Sequence, residues 1–151
     1  MDALARQCPG KSLNFKKPIL RILVIDDDEC VGVAIQAILA RGRHETTLAL
    51  RACDGIKALQ SPGFDAAVVD LFLPGMSGLD TIAHIRQRSA IPIVAISGFR
   101  LRNSSNAIDY VSMAMQRGAS TFIRKPFASQ QLFEAIDRSV NGASSIAGST
   151  Q

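Results

Sequence analysis

The chain has 151 residues, 47% apolar and 20% charged, with a net charge of +4 at neutral pH. That length favours one domain with a sizeable interior, and the composition excludes a disordered tail. No apolar run approaches the ~20 residues of a membrane helix, and the first residues lack the continuous apolar segment of a secretory signal.

Residues 1–17 are polar, contain Pro and Gly, show no periodicity and read as a flexible N-terminal arm. Short β-branched runs then alternate with helix-period segments. The expected strands are Ile19–Ile25, Glu45–Leu50, Ala66–Leu71, Ile93–Ser97 and Thr121–Arg124. The expected helices are Glu29–Arg41, Gly55–Gln60, Gly78–Arg88, Asn106–Arg117 and Ser129–Asn141. Ile35, Ile38 and Leu39 share a helix face, as do Ile108, Val111 and Met115, and Leu132, Phe133, Ile136 and Val140. Gly42 and Gly118 stand where left-handed C-caps belong, and Asn106 and Ser129 where N-caps belong. Residues 142–151 are small and polar and read as a frayed tail after a domain expected to span 18–141, with no output domain expected after it. Five strands alternating with five helices predict a parallel sheet covered on both faces. In such sheets chemistry gathers beyond the carboxyl ends of the strands, where strand order reverses.

Several of these strand ends carry reactive groups. The first runs into Asp26, Asp27, Asp28 and Glu29, the third ends in Asp70, the fourth in Ser97-Gly98 and the fifth in Lys125-Pro126. Parallel strands would bring three carboxylates, a hydroxyl and an ammonium to one rim. Carboxylates packed so closely repel and raise each other's pKa. A hard divalent cation, Mg2+, relieves the conflict with oxygen ligands. A carboxylate can then attack phosphorus to form an acyl phosphate, with metal, Lys125 and Ser97 each neutralising one phosphoryl oxygen. Gly98, lacking a side chain, leaves the approach to Asp70 open. Asp28 and Glu29 read as acids favouring the first helix's N-terminus, Asp54 and Asp80 as cap or surface acids, and Met113 and Met115 as core packing.

The stretches "ILVIDDDE", "ACDGIKAL", "VVDLFLPGMSGLD", "IVAISG" and "TFIRKPF", in this order, resemble the receiver domain of two-component response regulators. That family has the flavodoxin-like α/β fold, a doubly wound five-stranded sheet of order 2-1-3-4-5. The resemblance implies that Asp70 is the phosphoacceptor, Asp27 a direct metal ligand, Asp26 a ligand through water, and the Phe72 backbone carbonyl a further ligand. It makes Ser97 and Phe122 the switch pair and Lys125 the conserved-type lysine, with a cis bond to Pro126. Phe72 and Phe99, each two residues past a site residue, would limit water's access to the acyl phosphate and lengthen its life. The expected partners are a histidine kinase or histidine phosphotransfer protein, and a downstream protein at the face of the fourth helix, fifth strand and fifth helix. A homodimer on phosphorylation is also compatible with the family. The domain would signal rather than act as an enzyme, beyond catalysing its own phosphorylation and dephosphorylation.

Departures and alternatives frame these expectations. The interval from Ser97 to Lys125 is longer than usual for the family. The excess falls in Gly98–Asn106, with Arg100 and Arg102, as either a partner determinant or a tolerated insertion. An aspartate-nucleophile phosphatase of the haloacid-dehalogenase type also uses magnesium, but wants an acid where Phe72 stands. A flavodoxin-like nucleotide or flavin binder wants a glycine-rich loop after the first strand. A receiver fold acting by protein binding without phosphorylation is the remaining alternative. Cys8, Cys30 and Cys53 form no C-x-x-C, and His44 and His84 stand near no second ligand, so inert thiols are expected. Four basic residues, Arg6, Lys11, Lys16 and Lys17, lie in the N-terminal segment; the rest are scattered without a basic helix face, so no direct nucleic-acid binding is expected. The location expected is cytoplasmic.

Overall fold

A computed structural model describes residues 17–98 and 109–146. In chain order the elements are β1 (Arg21–Ile25), α1 (Glu29–Arg41), β2 (Glu45–Ala49), α2 (Ala52–Ala58) and β3 (Ala66–Asp70). Then follow α3 (Gly78–Arg88), β4 (Ile93–Ser97), α4 (Tyr110–Arg117), β5 (Thr121–Arg124) and α5 (Ser129–Ile146). All strand pairs are parallel, in the order β2-β1-β3-β4-β5.

Two apolar layers explain the strand sequences. Side chains alternate across a strand, so β1 sends Ile22 and Val24 to one face and Leu23 and Ile25 to the other. The first face is closed by Ile35 and Leu39 of α1 and Leu132 and Ile136 of α5. The second is closed by Leu79, Ile82 and Ile85 of α3 and Ala114 of α4. β3 and β4 lie in the middle and are buried along their whole length, which is why they read as near-continuous apolar runs.

Helix ends follow their caps. Asp28 accepts from the N–H groups of Cys30 (2.9 Å) and Val31 (3.3 Å), fixing the start of α1. Gly118, after α4, has φ 115° and is a left-handed cap. Gly42 is different: its φ is −84°, and the left-handed residue is Arg43 (φ 66°). Gly42 lacks a side chain for another reason, since a Cβ there would lie 2.5 Å from the Phe133 ring of α5. Ser129 is the first helical residue of α5 rather than its cap; Gln131 reaches back to accept from the Ala128 N–H at 2.7 Å. Asn106 lies outside the described residues, and Asp109 caps α4 by accepting from the Ser112 N–H at 3.0 Å.

Three further expectations are corrected. α2 begins at Ala52, and Gly55 is buried inside it rather than starting it. α4 turns Tyr110, Met113 and Ala114 to the core, leaving Met115 45% exposed. α5 continues past Asn141 to Ile146. Along it Ser139 and Ser144 hydroxyls donate to the carbonyls of Ala135 (2.7 Å) and Val140 (3.2 Å), so small polar residues join the helix.

Candidate functional site: an acidic cleft at the strand ends

The sheet order reverses between β1 and β3, and the cleft opens at the carboxyl ends of these two strands. Its walls include Asp27, Asp28, Asp70, Phe72, Gly98 and Lys125 around about 660 Å3 of space. Asp26 directly follows β1 and is fully buried, and Asp70 ends β3 with 5% exposure. Period-two alternation gives Asp26, Asp70 and Lys125 the same facing as Val24, Val68 and Ile123, so all three meet. Lys125 Nζ donates to Asp26 Oδ2 at 2.7 Å and to Asp70 Oδ2 at 2.9 Å.

The remaining carboxylate oxygens are held by the main chain. The Asp28 N–H donates to Asp26 Oδ1, and the Phe72 N–H to Asp70 Oδ1, each at 2.9 Å. Both are bonds to charged acceptors and of the stronger kind. The chain is pinned where β3 ends: the Gly78 N–H donates to the Leu71 carbonyl at 3.0 Å, and a Cβ on Gly78 would lie 2.0 Å from the Asp70 carbonyl oxygen.

Burial pushes the Asp26 carboxyl above the usual range, reinforced by the Asp70 charge and opposed by the bonds from Lys125 and the Asp28 N–H. Burial also works against the Lys125 ammonium, but its bonds to Asp26 and Asp70 outweigh it, and the lysine is held above its ordinary value. Asp27 is exposed beside them. One carboxylate oxygen from each of Asp26, Asp27 and Asp70 lies within 4.8 Å of the others. Among the described residues Asp27 has no hydrogen-bond or ion-pair partner. An all-oxygen donor set of three acids with one lysine leaves negative charge in excess, which is the chemistry a hard divalent cation fits.

Ser97 is fully buried at the end of β4, and its hydroxyl donates to the Gly98 carbonyl at 3.3 Å rather than to an acid. It has the alternation of Ile93 and Ala95, hence the opposite facing to Asp70, and Ala95 pairs with Phe122 of β5. Phe122 is half-buried on that same layer. The Lys125 N–H donates to the Ser97 carbonyl at 2.7 Å, and the Lys125–Pro126 bond is cis. Phe99 and the longer loop lie outside the described residues, apart from Gly98 at their start. Asp54 pairs with Arg51 at 2.8 Å and Asp80 with Arg117 at 3.0 Å, away from the cleft. Cys30 and Cys53 are free and exposed.

One contact carried no signal in the sequence. The Phe72 ring meets the Tyr110 ring of α4 edge-on, centroids 5.2 Å apart at 68°. Loop and helix are far apart in the chain, and only the packing of α4 on the sheet joins them.

Known proteins share the sequence pattern and the fold. The family model described as the response regulator receiver domain matches residues 22–137. The chain is 34% identical over 118 residues to the uncharacterized transcriptional regulatory protein YrkP of Bacillus subtilis, covering 77% of this chain and 47% of that protein. It is 31% identical over 128 residues to the regulatory protein VirG of Agrobacterium tumefaciens, covering 84% of this chain and 46% of VirG. The chain thus spans about half the length of these relatives. Among solved structures, the receiver domain of NtrX from Brucella abortus is 30% identical with a TM-score of 0.70, covering 80% of this chain and 98% of that domain. A CheY-like receiver domain protein from Methanospirillum hungatei shares the fold at TM-score 0.74 and 23% identity, covering 85% and 99% of the two chains. Among the described residues no helix is long and apolar enough to cross a membrane. The chain belongs to the response regulator receiver family of two-component signalling.

Proposed function

We propose that Asp70 accepts a phosphoryl group from a histidine kinase or histidine phosphotransfer protein. The observation that carries this reading is the Lys125 ammonium 2.9 Å from Asp70, beside three acids whose oxygens lie within 4.8 Å of one another. An Asp70 carboxylate oxygen attacks phosphorus, the phosphorus–nitrogen bond of the donor phosphohistidine breaks, and the freed imidazole nitrogen takes up a proton. Lys125 holds Asp70 in place and neutralises charge on a phosphoryl oxygen. Asp27, Asp26 through water, Asp70 and the Phe72 carbonyl would hold Mg2+. When bound, the ion would neutralise charge on the transferring group.

The readout lies on the layer that Ser97 shares with Phe122. Ser97 moves its hydroxyl from the Gly98 carbonyl toward the phosphoryl oxygen, and the vacated space admits the Phe122 ring. The exposed Met115 on α4 supports a downstream partner at the face of α4, β5 and α5. The test is intact-mass spectrometry after incubation with acetyl phosphate and Mg2+. One phosphoryl group is expected on the wild type and none on Asp70→Asn or without the metal. An unmodified wild type overturns the reading.

A further inference from the structure

We propose that Tyr110 is a positioning residue for Phe72, carrying the phosphorylation state of Asp70 to α4 and setting the lifetime of the acyl phosphate. The inference rests on the phospho-accepting role of Asp70 proposed above. It is a second route out of the site, independent of Ser97 and Phe122.

Phe72 is held at both ends. Its N–H donates to Asp70 Oδ1 at 2.9 Å, and its ring packs edge-on against Tyr110 at 5.2 Å. Phe72 lines the cleft that contains Asp70. Tyr110 is the first residue of α4, behind the Asp109 cap, so its ring is carried by the start of the helix. The other end of α4 is pinned elsewhere: the Gly118 carbonyl accepts from Arg86 Nε at 3.1 Å and Nη2 at 2.6 Å, and Arg117 pairs with Asp80 at 3.0 Å. A push from Phe72 therefore acts on the end of α4 opposite its anchors.

Phosphorylation changes the first tether. The N–H bond from Phe72 meets a charged acceptor while Asp70 is a carboxylate and a weaker, uncharged one after phosphorylation. Loosening at the backbone lets the Phe72 ring shift, and the edge-to-face contact transmits that shift to Tyr110. The reverse coupling controls hydrolysis. A water oxygen attacks phosphorus, the Asp70–phosphorus bond breaks, inorganic phosphate leaves, Asp70 regains its carboxylate and the surplus proton passes to solvent. Tyr110 holds the Phe72 ring over that approach; without Tyr110 the ring swings clear and water arrives more often.

The chain contains one tyrosine and no tryptophan, so ultraviolet emission reports on Tyr110 alone. Intact-mass decay after acetyl phosphate loading is followed in wild type, Tyr110→Phe, Tyr110→Ala, Phe72→Ala and the double alanine variant. Tyr110→Ala is expected to speed phosphoryl loss roughly 2- to 10-fold, the range an aromatic pair supplies. Phe72→Ala does likewise, the double variant is no faster than the faster single one, and Tyr110→Phe keeps the wild-type rate. Beryllofluoride with Mg2+ should change tyrosine emission in wild type and Phe122→Ala but not in Phe72→Ala. A phosphorylated wild type with unchanged emission, or alanine effects that multiply, overturns this proposal alone. A wild type that takes up no phosphoryl group overturns the phospho-accepting role and this proposal with it.

Discussion

Two cations are embedded in this molecule at opposite ends of the sheet, and their surroundings differ in kind. Arg86, near the start of β4, is tied to neutral acceptors: its guanidinium donates to the carbonyls of Gly118, Ser89 (3.1 Å) and Ile91 (2.8 Å). Burial lowers its pKa, and among the described residues no carboxylate pairs with it. Lys125, at the other end, is tied to two carboxylates and has open space above it. The arginine satisfies three main-chain carbonyls in two connecting segments at once. The lysine leaves a site with spare negative charge, which stability alone does not require. A buried cation thus reads as scaffold when its partners are backbone carbonyls, and as machinery when they are acids facing a cleft.

Substitutions should separate the two roles, the largest effect coming first. Lys125→Met is expected to lower the rate of phosphoryl uptake on Asp70 by about 10^2- to 10^3-fold, the size of a lost charge-stabilising donor. Mass spectrometry with acetyl phosphate measures it; uptake within a few-fold of wild type breaks the distinction. Arg86→Met should do the reverse, costing about 2–4 kcal/mol of stability by orphaning three main-chain carbonyls. Urea unfolding reads the loss, with phosphoryl uptake unchanged at temperatures where the variant is folded. Asp27→Asn should raise metal-free stability by about 0.5–1 kcal/mol, by relieving repulsion among three crowded acids, while raising the Mg2+ concentration that uptake needs. Unchanged or lower stability in metal-free buffer counts against spare charge at the rim.

The smallest effect concerns His44, a third titratable group, 9% exposed at the start of β2. Its Nδ1 accepts from the Leu20 N–H at 3.1 Å, and burial holds its pKa below 6.5, against the pull of Asp137. The unfolded chain therefore takes up the proton first as pH falls. Stability is complete above the ordinary histidine range and declines as pH drops through the lowered folded value. His44→Asn, which keeps an acceptor for Leu20, should flatten the urea midpoint between pH 7.5 and 5.5. A slope that survives the substitution assigns the effect to another group.

The sheet and its charged rim were legible because both depend on signals local to a strand. All five strands begin and end within a residue or two of the expected bounds, and Asp26, Asp70, Ser97 and Lys125 follow from where each apolar run stops. The α4 face was misread because periodicity ranks residues by their apolar character alone. Val111 and Met115 are as apolar as Met113, and only the position of β4 and β5 decides which of them is covered. Gly42 was misread for a similar reason. Its left-handed neighbour and the Phe133 ring against it belong to the docking of α5, which sequence spacing does not contain. The Phe72–Tyr110 contact joins a loop to a helix across two intervening elements and has no local trace at all.

The close approach at Gly78 bears on where the protein is free to respond. The floor beneath Asp70 is wedged against the first turn of α3 with no slack for even a methyl group. Charge arriving at that strand end meets a rigid seat, so displacement has to travel sideways, toward β4 and α4, and a partner reading α3 from below would sense little.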